Sequence, residues 1–172
     1  KNALSAAQRK KITEIKIADN VKTIEAGAFT NCIKLTKVTF SKKSKLTKID
    51  ANTFKGCTAL KTFTIPGSVT KIGKSAFEKC TSLKKIKIPD KVTEIGDKAF
   101  SGDKKMTEVT IGKKVTKNGK QAFYGCKLLK NVKVNTTKLK TVGKNAFKGV
   151  KKGAQAKVPS KQKKSYKNLL KP

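Results

Sequence analysis

The sequence predicts an α/β repeat solenoid, a chain of 172 residues wound into stacked coils that each contribute a short strand, an extended piece and a helical turn. Three observations carry that reading. Phenylalanines at 29, 54, 77, 100, 123 and 147 recur in steps of 25, 23, 23, 23 and 24. A fixed set of residues travels with them, most complete in Ile72, Gly73, Ala76, Phe77, Cys80, Leu83, Ile86, Ile88, Pro89 and Val92. And one such unit cannot bury enough apolar surface to offset the entropy of ordering it, so consecutive copies must close each other's open faces.

Residues 1–11 form an N-terminal flank in which Leu4, Ala6 and Ala7 are the candidates to cover the first coil. Ile12, Ile15, Ile17, Val21 and Ile24 then follow the template into Ala28 and Phe29. The strand of each unit is signalled by three apolar positions, as in Leu60, Phe63, Ile65 or Leu83, Ile86, Ile88 or Met106, Val109, Ile111 or Leu129, Val132, Val134. The last two of each set stand two apart and share a face, and their neighbours point the other way. Pro66, Pro89 and Pro159 close three of these strands, where a missing N–H is tolerated. Next comes an extended piece with Val69 and Ile72, or Val92 and Ile95, turned inward.

A short helical turn follows. Asp50, Gly73, Gly96, Gly119 and Gly143 suit its N-cap, and Asn31, Gly56, Gly102, Gly125 and Gly149 suit a left-handed C-cap. The period is 23 residues, with two extra in the turn at 42–48 and one near 135–138. About six units cover 12–159, and the chain reads as a single domain over 1–172. After Phe147 the pattern decays: Gly153 and Ala156 fill slots held elsewhere by leucine and isoleucine. Residues 160–172 read as a C-terminal capping helix with Tyr166, Leu169 and Leu170 on one face, rather than as a disordered basic tail.

Departures from the template are local. Thr53 replaces the alanine, Asp103 and Val150 replace the cysteine, and Asn118 stands where Ile72 and Ile95 do. Asn118 is expected to turn to solvent or to bond to backbone, since a buried amide needs partners. Cys32, Cys57, Cys80 and Cys126 each lie three residues after a repeat phenylalanine, hence in one slot on different coils. They are either buried free thiols acting as small apolar wedges or a bridge between adjacent coils. With no histidine in the chain, a zinc site would need all four thiolates from distant coils, so no metal is expected.

Composition narrows the function. The formal charge is +33, and only Arg9 among the 43 basic residues is arginine. Such a charge points to anionic partners. Lysine is a hydrated point charge, whereas base-edge readout favours the fork of arginine, so sequence-specific nucleic-acid binding is not expected. The ten carboxylates are scattered, and no serine or cysteine has a base at motif spacing. The glycines are single and periodic, unlike a phosphate-binding loop. The chain is therefore read as non-catalytic, with no cofactor and no small-molecule substrate. No apolar run approaches the ~20 residues of a membrane helix, so it is not read as membrane-embedded.

The alanine-phenylalanine, cysteine, leucine, isoleucine and proline pattern, phased six times between Ile12 and Pro159, resembles the BspA-like, or Treponema-type, leucine-rich repeats of bacterial surface proteins. That resemblance implies a right-handed solenoid with a parallel β-sheet on the concave face and short helical turns or extended pieces on the convex side. It also implies an extracellular place on the bacterial cell surface and a role in adhesion or protein binding, and it supplies no catalytic residues. The chain has no initiating methionine and no apolar leader in 1–11, so a processed product or a segment of a longer protein is expected.

Two surfaces are candidate sites. If the strands line the concave face, their outward side chains include Lys37, Thr39, Thr62, Thr64, Lys85, Lys87, Thr110, Asn131, Lys133 and Lys157. This is either a solvated β-face whose threonines serve strand propensity or a moderately basic binding strip. The second is the C-terminal third: no acidic residue follows Glu108, so Lys140, Lys144, Lys148, Lys151 and Lys152 form a patch of one sign. The expected partners are an extracellular protein, or an anionic glycan or wall polymer. A structural spacer held by charge to the producer's own anionic wall is the alternative, and non-specific nucleic-acid binding the third reading.

Overall fold

The computed structural model describes residues 4–162 and residue 166. Strands alternate between two positions along the chain except that β4 and β5 follow one another in the same position: β1 (Glu14–Ile17), β2 (Thr23–Ile24), β3 (Lys37–Phe40), β4 (Lys48–Ile49), β5 (Lys71–Ile72), β6 (Lys85–Lys87), β7 (Glu94–Ile95), β8 (Glu108–Ile111), β9 (Lys117–Asn118), β10 (Asn131–Val134), β11 (Thr141–Val142) and β12 (Gln155–Lys157). The two-residue strands stack into one six-stranded sheet in the order β2, β4, β5, β7, β9, β11. The longer strands form a first sheet that is split in two, β1 with β3, and β6, β8, β10, β12. All pairings are parallel and in register from coil to coil, for example Ile72 with Ile95 and Lys85 with Glu108. A chain that repeats its inward residues at a fixed spacing can pair only in this way, because a slip of one residue would turn every core side chain outward.

Between the sheets the expected helical turns do not form. Among the described residues, helix is confined to the flanks, in α1 (Ala6–Lys11) and a 3-10 turn at Ser160–Gln162, so the repeat itself is a β-solenoid. In the third coil the N–H groups of Ser75, Phe77 and Lys79 donate to the carbonyls of Asp97, Ala99 and Ser101 one coil on, at 2.7–2.8 Å. Those of Ala76, Glu78 and Cys80 instead donate three residues back. A helix would send every N–H back along its own chain. Here half of them form a third ladder between coils, which requires two left-handed residues per turn. One is the residue expected to end the turn, at Asn31, Gly56, Gly102, Gly125 and Gly149. The other precedes the alanine and falls on Asn52, Ser75, Lys98, Gln121 and Asn145, with φ of 54–59°. For such residues this backbone costs roughly 1–2 kcal/mol, offset by the hydrogen bonds it aims at the next coil. The glycines read as N-caps have another cause: a Cβ on Gly96 would lie 2.6 Å from the carbonyl carbon of Gly73 and the nitrogen of Lys74. Stacked backbones exclude a side chain there.

The core is a set of columns. Phe54, Phe77, Phe100 and Phe123 are fully buried, and successive rings from Phe29 to Phe147 stack at 5.1–5.5 Å. The four cysteines are buried and free. Cys57, Cys80 and Cys126 donate Sγ–H to the carbonyls of Phe29, Phe54 and Phe100 at 3.2 Å. Burial pushes the Cys57 thiol up to about 12, and those of Cys80 and Cys126 well above the usual thiol range. They are inert packing groups.

Two slots break the apolar pattern. Asn118 neither reaches solvent nor bonds to backbone: it is fully buried between Ile95 and Val142 in the second sheet, and its amide oxygen and nitrogen have no partner. β9 points its side chain into the core as β2, β4, β5 and β7 do with Ile24, Ile49, Ile72 and Ile95, and coils stacked on both sides leave it no room to turn out, whereas Val142 in β11 is exposed. Asp103 fills the cysteine slot, fully buried, with neither carboxylate oxygen bonded. Burial holds its carboxyl well above the usual range; the nearby Cys80 N–H, which donates to the Phe77 carbonyl at 3.1 Å, offsets only part of this, and the charge of Glu78 adds to the rise.

The first coil is covered differently from expectation. Ser5 opens α1 with a capping box to Gln8, while Ala6 and Ala7 stay exposed. The covering group is Arg9, whose Nη1 donates to the carbonyls of Gly27 at 2.6 Å and Thr30 at 3.2 Å, and whose Nε donates to Leu4 at 3.0 Å. At the other end Tyr166 is buried; its hydroxyl accepts from the Leu139 N–H at 3.0 Å and donates to the Thr136 carbonyl. This ties the C-terminal flank to the one-residue insertion near 135–138. Leu169 and Leu170 of the expected capping helix lie outside the described residues.

Candidate functional site

Alternation along each strand of the first sheet sends one set of side chains into the core and the other to solvent. Register then aligns the outward set into two columns. One runs through Lys85, Glu108, Asn131 and Gln155, the other through Lys87, Thr110, Lys133 and Lys157. On the other piece of the sheet Glu14 faces Lys37 and Lys16 faces Thr39. Lys37, Lys85, Lys87, Asn131, Lys133 and Lys157 are exposed; Thr39 and Thr110 are half-buried. The Thr39 hydroxyl donates back to the Ile15 carbonyl. Glu108, Asn131, Lys133, Gln155 and Lys157 line a shallow depression of about 240 Å³.

Thr62 and Thr64 are exposed, but they do not belong to a continuous strip. Residues 62–65 form no strand, and among the described residues their backbone N–H and C=O groups make no backbone hydrogen bond to either neighbouring coil. Pairing stops at the Lys61 carbonyl, which accepts from Lys84. The cause is side-chain volume. Phe63 occupies the slot that Ile86, Val109 and Val132 hold elsewhere, and Phe40 the slot of Ile88 and Ile111. Phe63 meets Phe40 edge-on at 5.6 Å and is wedged against Phe54 and Phe77 at 5.0 and 4.8 Å. Two successive rings where aliphatic groups normally sit separate the strands. The result is an open cleft of about 660 Å³ that includes Phe40, Thr64, Ile65 and Pro66, with Lys42 and Lys91 on its walls. Sequence reasoning placed Phe63 in the core and overlooked Phe40; the available signal was that these are the only two phenylalanines outside the repeating slot.

Charge is organised by the same one-coil offset. Glu78 pairs with Lys55 at 2.8 Å, Glu108 with Lys85 at 3.2 Å, and Glu94 bridges Lys71 at 2.7 Å and Lys117 at 3.0 Å. Hydrogen bonds from Lys71 and Lys117 hold Glu94 below the usual carboxylate range. Among the described residues no ion pair involves a lysine beyond Lys117. Lys140, Lys144, Lys148, Lys151 and Lys152 are all exposed and unneutralised in that region.

The family model of the BspA type leucine-rich repeat region matches residues 5–127 and 47–171, in six copies. The chain belongs to the BspA-type leucine-rich repeat family. Among solved structures, a leucine-rich cell surface protein of Faecalibacterium prausnitzii is 31% identical over 73% of this chain and 40% of its own, with a TM-score of 0.59. A leucine-rich repeat protein of Bacteroides ovatus is 27% identical over 74% of this chain and 42% of its own, at 0.55. This BspA-type chain thus spans well under half the length of those two relatives. The leucine-rich repeat protein of Treponema pallidum, 22% identical over 93% of this chain and 84% of its own, shares the fold at a TM-score of 0.70. No curated protein matches the chain. BspA-type repeats are protein-binding scaffolds rather than catalytic ones, and no helix of the described residues is long and apolar enough to cross a membrane.

Proposed function

We propose that the chain is a surface-displayed binding module of an extracellular bacterial protein, engaging host proteins or anionic glycans through its first sheet and its basic C-terminal end. The right-handed winding and the concave placement of that sheet belong to the same proposal, as does a single domain over 1–172. The observation that carries it is the four-stranded ladder β6, β8, β10, β12, which presents Lys85, Lys87, Thr110, Asn131, Lys133 and Lys157 to solvent in register. A rigid stacked backbone holds these groups at fixed spacing, so binding costs little ordering entropy. The cell-surface description of the Faecalibacterium relative supports display. Without aromatic anchors on the ladder, binding there is weak or multivalent rather than concentrated in one hot spot.

One observation favours a second reading, a spacer held by charge to the producer's own anionic wall: the region beyond Glu108 has a single sign. Both are tested by binding of the purified chain to immobilised fibronectin, a sulfated glycan, isolated bacterial wall and duplex DNA, at low and at about 0.3 M salt. Saturable binding to one protein or glycan that survives the higher salt supports the module. Indifferent binding to every polyanion that vanishes with salt rejects it and supports the spacer. Charge reversal at Lys144, Lys148, Lys151 and Lys152 is expected to weaken glycan binding more than the same change at Lys42, Lys43, Lys45 and Lys48. Equal effects would remove the C-terminal patch from the proposal.

A further inference from the structure

We infer that the break in the first sheet at residues 62–65 is a docking groove for an extended, acidic peptide segment of a partner protein, which completes the sheet by pairing its backbone with this coil. The inference rests on the protein-binding reading above and names a site within it. Every other pair of successive coils from β1 to β12 is joined by strand pairing, so apart from the outer edges of β1 and β12 the unpaired backbone on this sheet lies at one place, the only one among the described residues that adjoins an apolar cleft between coils. Strand addition uses such groups: main-chain hydrogen bonds supply affinity and pockets for alternate side chains supply selectivity.

The surroundings define the occupant. Half-buried Phe40, with buried Ile65 and Pro66, gives the cleft an apolar floor. Its volume of about 660 Å³, with an adjoining space of about 550 Å³ that shares Thr64 and Ile65, falls in the range of ligand-binding clefts. Lys42 and Lys91 line it and Lys87 lines the adjoining space, while Asp90 there is turned to Lys113 at 3.8 Å. Apolar residues alternating with carboxylates match that floor and those walls. A sulfated glycan meets the lysines, and its oxygens accept from N–H groups, but it has nothing to place on the apolar floor. A second copy of this chain carries +33 and is repelled. Four paired residues span about 13 Å of extended chain.

The test uses a capped, fluorescent octapeptide alternating valine and glutamate, at about 0.15 M salt. Its comparators are the valine-lysine counterpart, dextran sulfate, and two versions N-methylated on alternate residues, one for each edge of the peptide. The protein variant is Phe40→Ile with Phe63→Ile, which installs residue types that other coils carry in those slots, so the solenoid is retained and the sheet closes. Saturable binding is expected, reduced at least about tenfold by the double variant and by one of the two N-methylated peptides. Lys42→Gln with Lys91→Gln reduces it severalfold. Amide hydrogen exchange at residues 62–65 is fast in the free protein and slows both on peptide binding and in the double variant.

Undiminished binding by the double variant, full affinity of both N-methylated peptides, equal binding of the valine-lysine peptide, or no binding would each overturn the inference. So would a dimer in light scattering whose formation alone protects 62–65. If the peptide fails while salt-resistant binding to an immobilised protein persists, only the groove falls; if both fail, the protein-binding reading falls with it.

Discussion

Asp103→Cys restores the repeat residue to a slot flanked one coil away on each side by Cys80 and Cys126. In those coils and at Cys57 the thiol donates to a phenylalanine carbonyl at 3.2 Å. The equivalent acceptor for position 103 is the carbonyl of Phe77. Asp103 places two carboxyl oxygens in the core without a partner. An unsatisfied buried group costs about 1–3 kcal/mol, and a charged one more, so the variant is expected to gain about that much at pH 7. For a domain of this size each kcal/mol is worth about 2–4 °C, giving a rise of roughly 2–12 °C in Tm. The pH dependence follows from the raised carboxyl. Well below the ordinary carboxylate value of about 3.9 it is protonated in both folded and unfolded chains and no titration penalty applies, and at pH 3.5 the penalty is still small. As pH rises from there toward the folded value, the unfolded chain ionises while the folded one resists, and stability is lost. The gap between Asp103→Cys and wild type therefore widens from pH 3.5 to pH 7, these being about half a unit and three units from the ordinary carboxylate value. Thermal melts followed by circular dichroism at both pH values decide it. A variant that melts at or below wild type at pH 7, or a gap that does not change with pH, refutes the reasoning.

Three other outcomes follow from the same packing. Gly96→Ala places a methyl 2.6 Å from the backbone of the previous coil, so it is expected to destabilise by about 2 kcal/mol or more, as overpacking does; a Tm within a degree of wild type would contradict the close stacking. Arg9→Gln removes the guanidinium from the carbonyls of Leu4, Gly27 and Thr30 and is expected to cost about 1–3 kcal/mol, with faster amide exchange in the first coil; equal exchange would show that Arg9 does not close the stack. Added salt is expected to raise Tm, because lysines on adjacent coils lie within the ~10 Å screening length at 0.1 M, and a Tm that falls between low and moderate salt would overturn this.

The period, the inward residues and the stacked columns were legible in the sequence because they are consequences of spacing: a chain that repeats Ala, Phe, Cys, Leu and Ile every 23 residues has one way to bury them all. The left-handed turn ends at Asn31, Gly56, Gly102, Gly125 and Gly149 were legible for the same local reason, since those residue types tolerate the conformation. What neighbours impose was not. Ser75, Lys98 and Gln121 carry no local signal for a left-handed backbone; they adopt it because the carbonyl of the next coil stands where their N–H must point, and this turns an expected helix into a turn ladder. Gly96 looks like a cap until the adjacent backbone is placed against it. Asn118 reads as solvent-facing or backbone-bonded and Asp103 as a local departure from the cysteine slot, yet a rung fixed by its neighbours on both sides cannot rotate a side chain out of the core. The candidate surface divides likewise. Which residues face outward followed from alternation, whereas the interruption at 62–65 depended on two rings, Phe40 and Phe63, meeting across adjacent coils. Sequence alone determined the repeat and its faces; the contact between one copy and the next, which no single copy encodes, decided where the sheet opens.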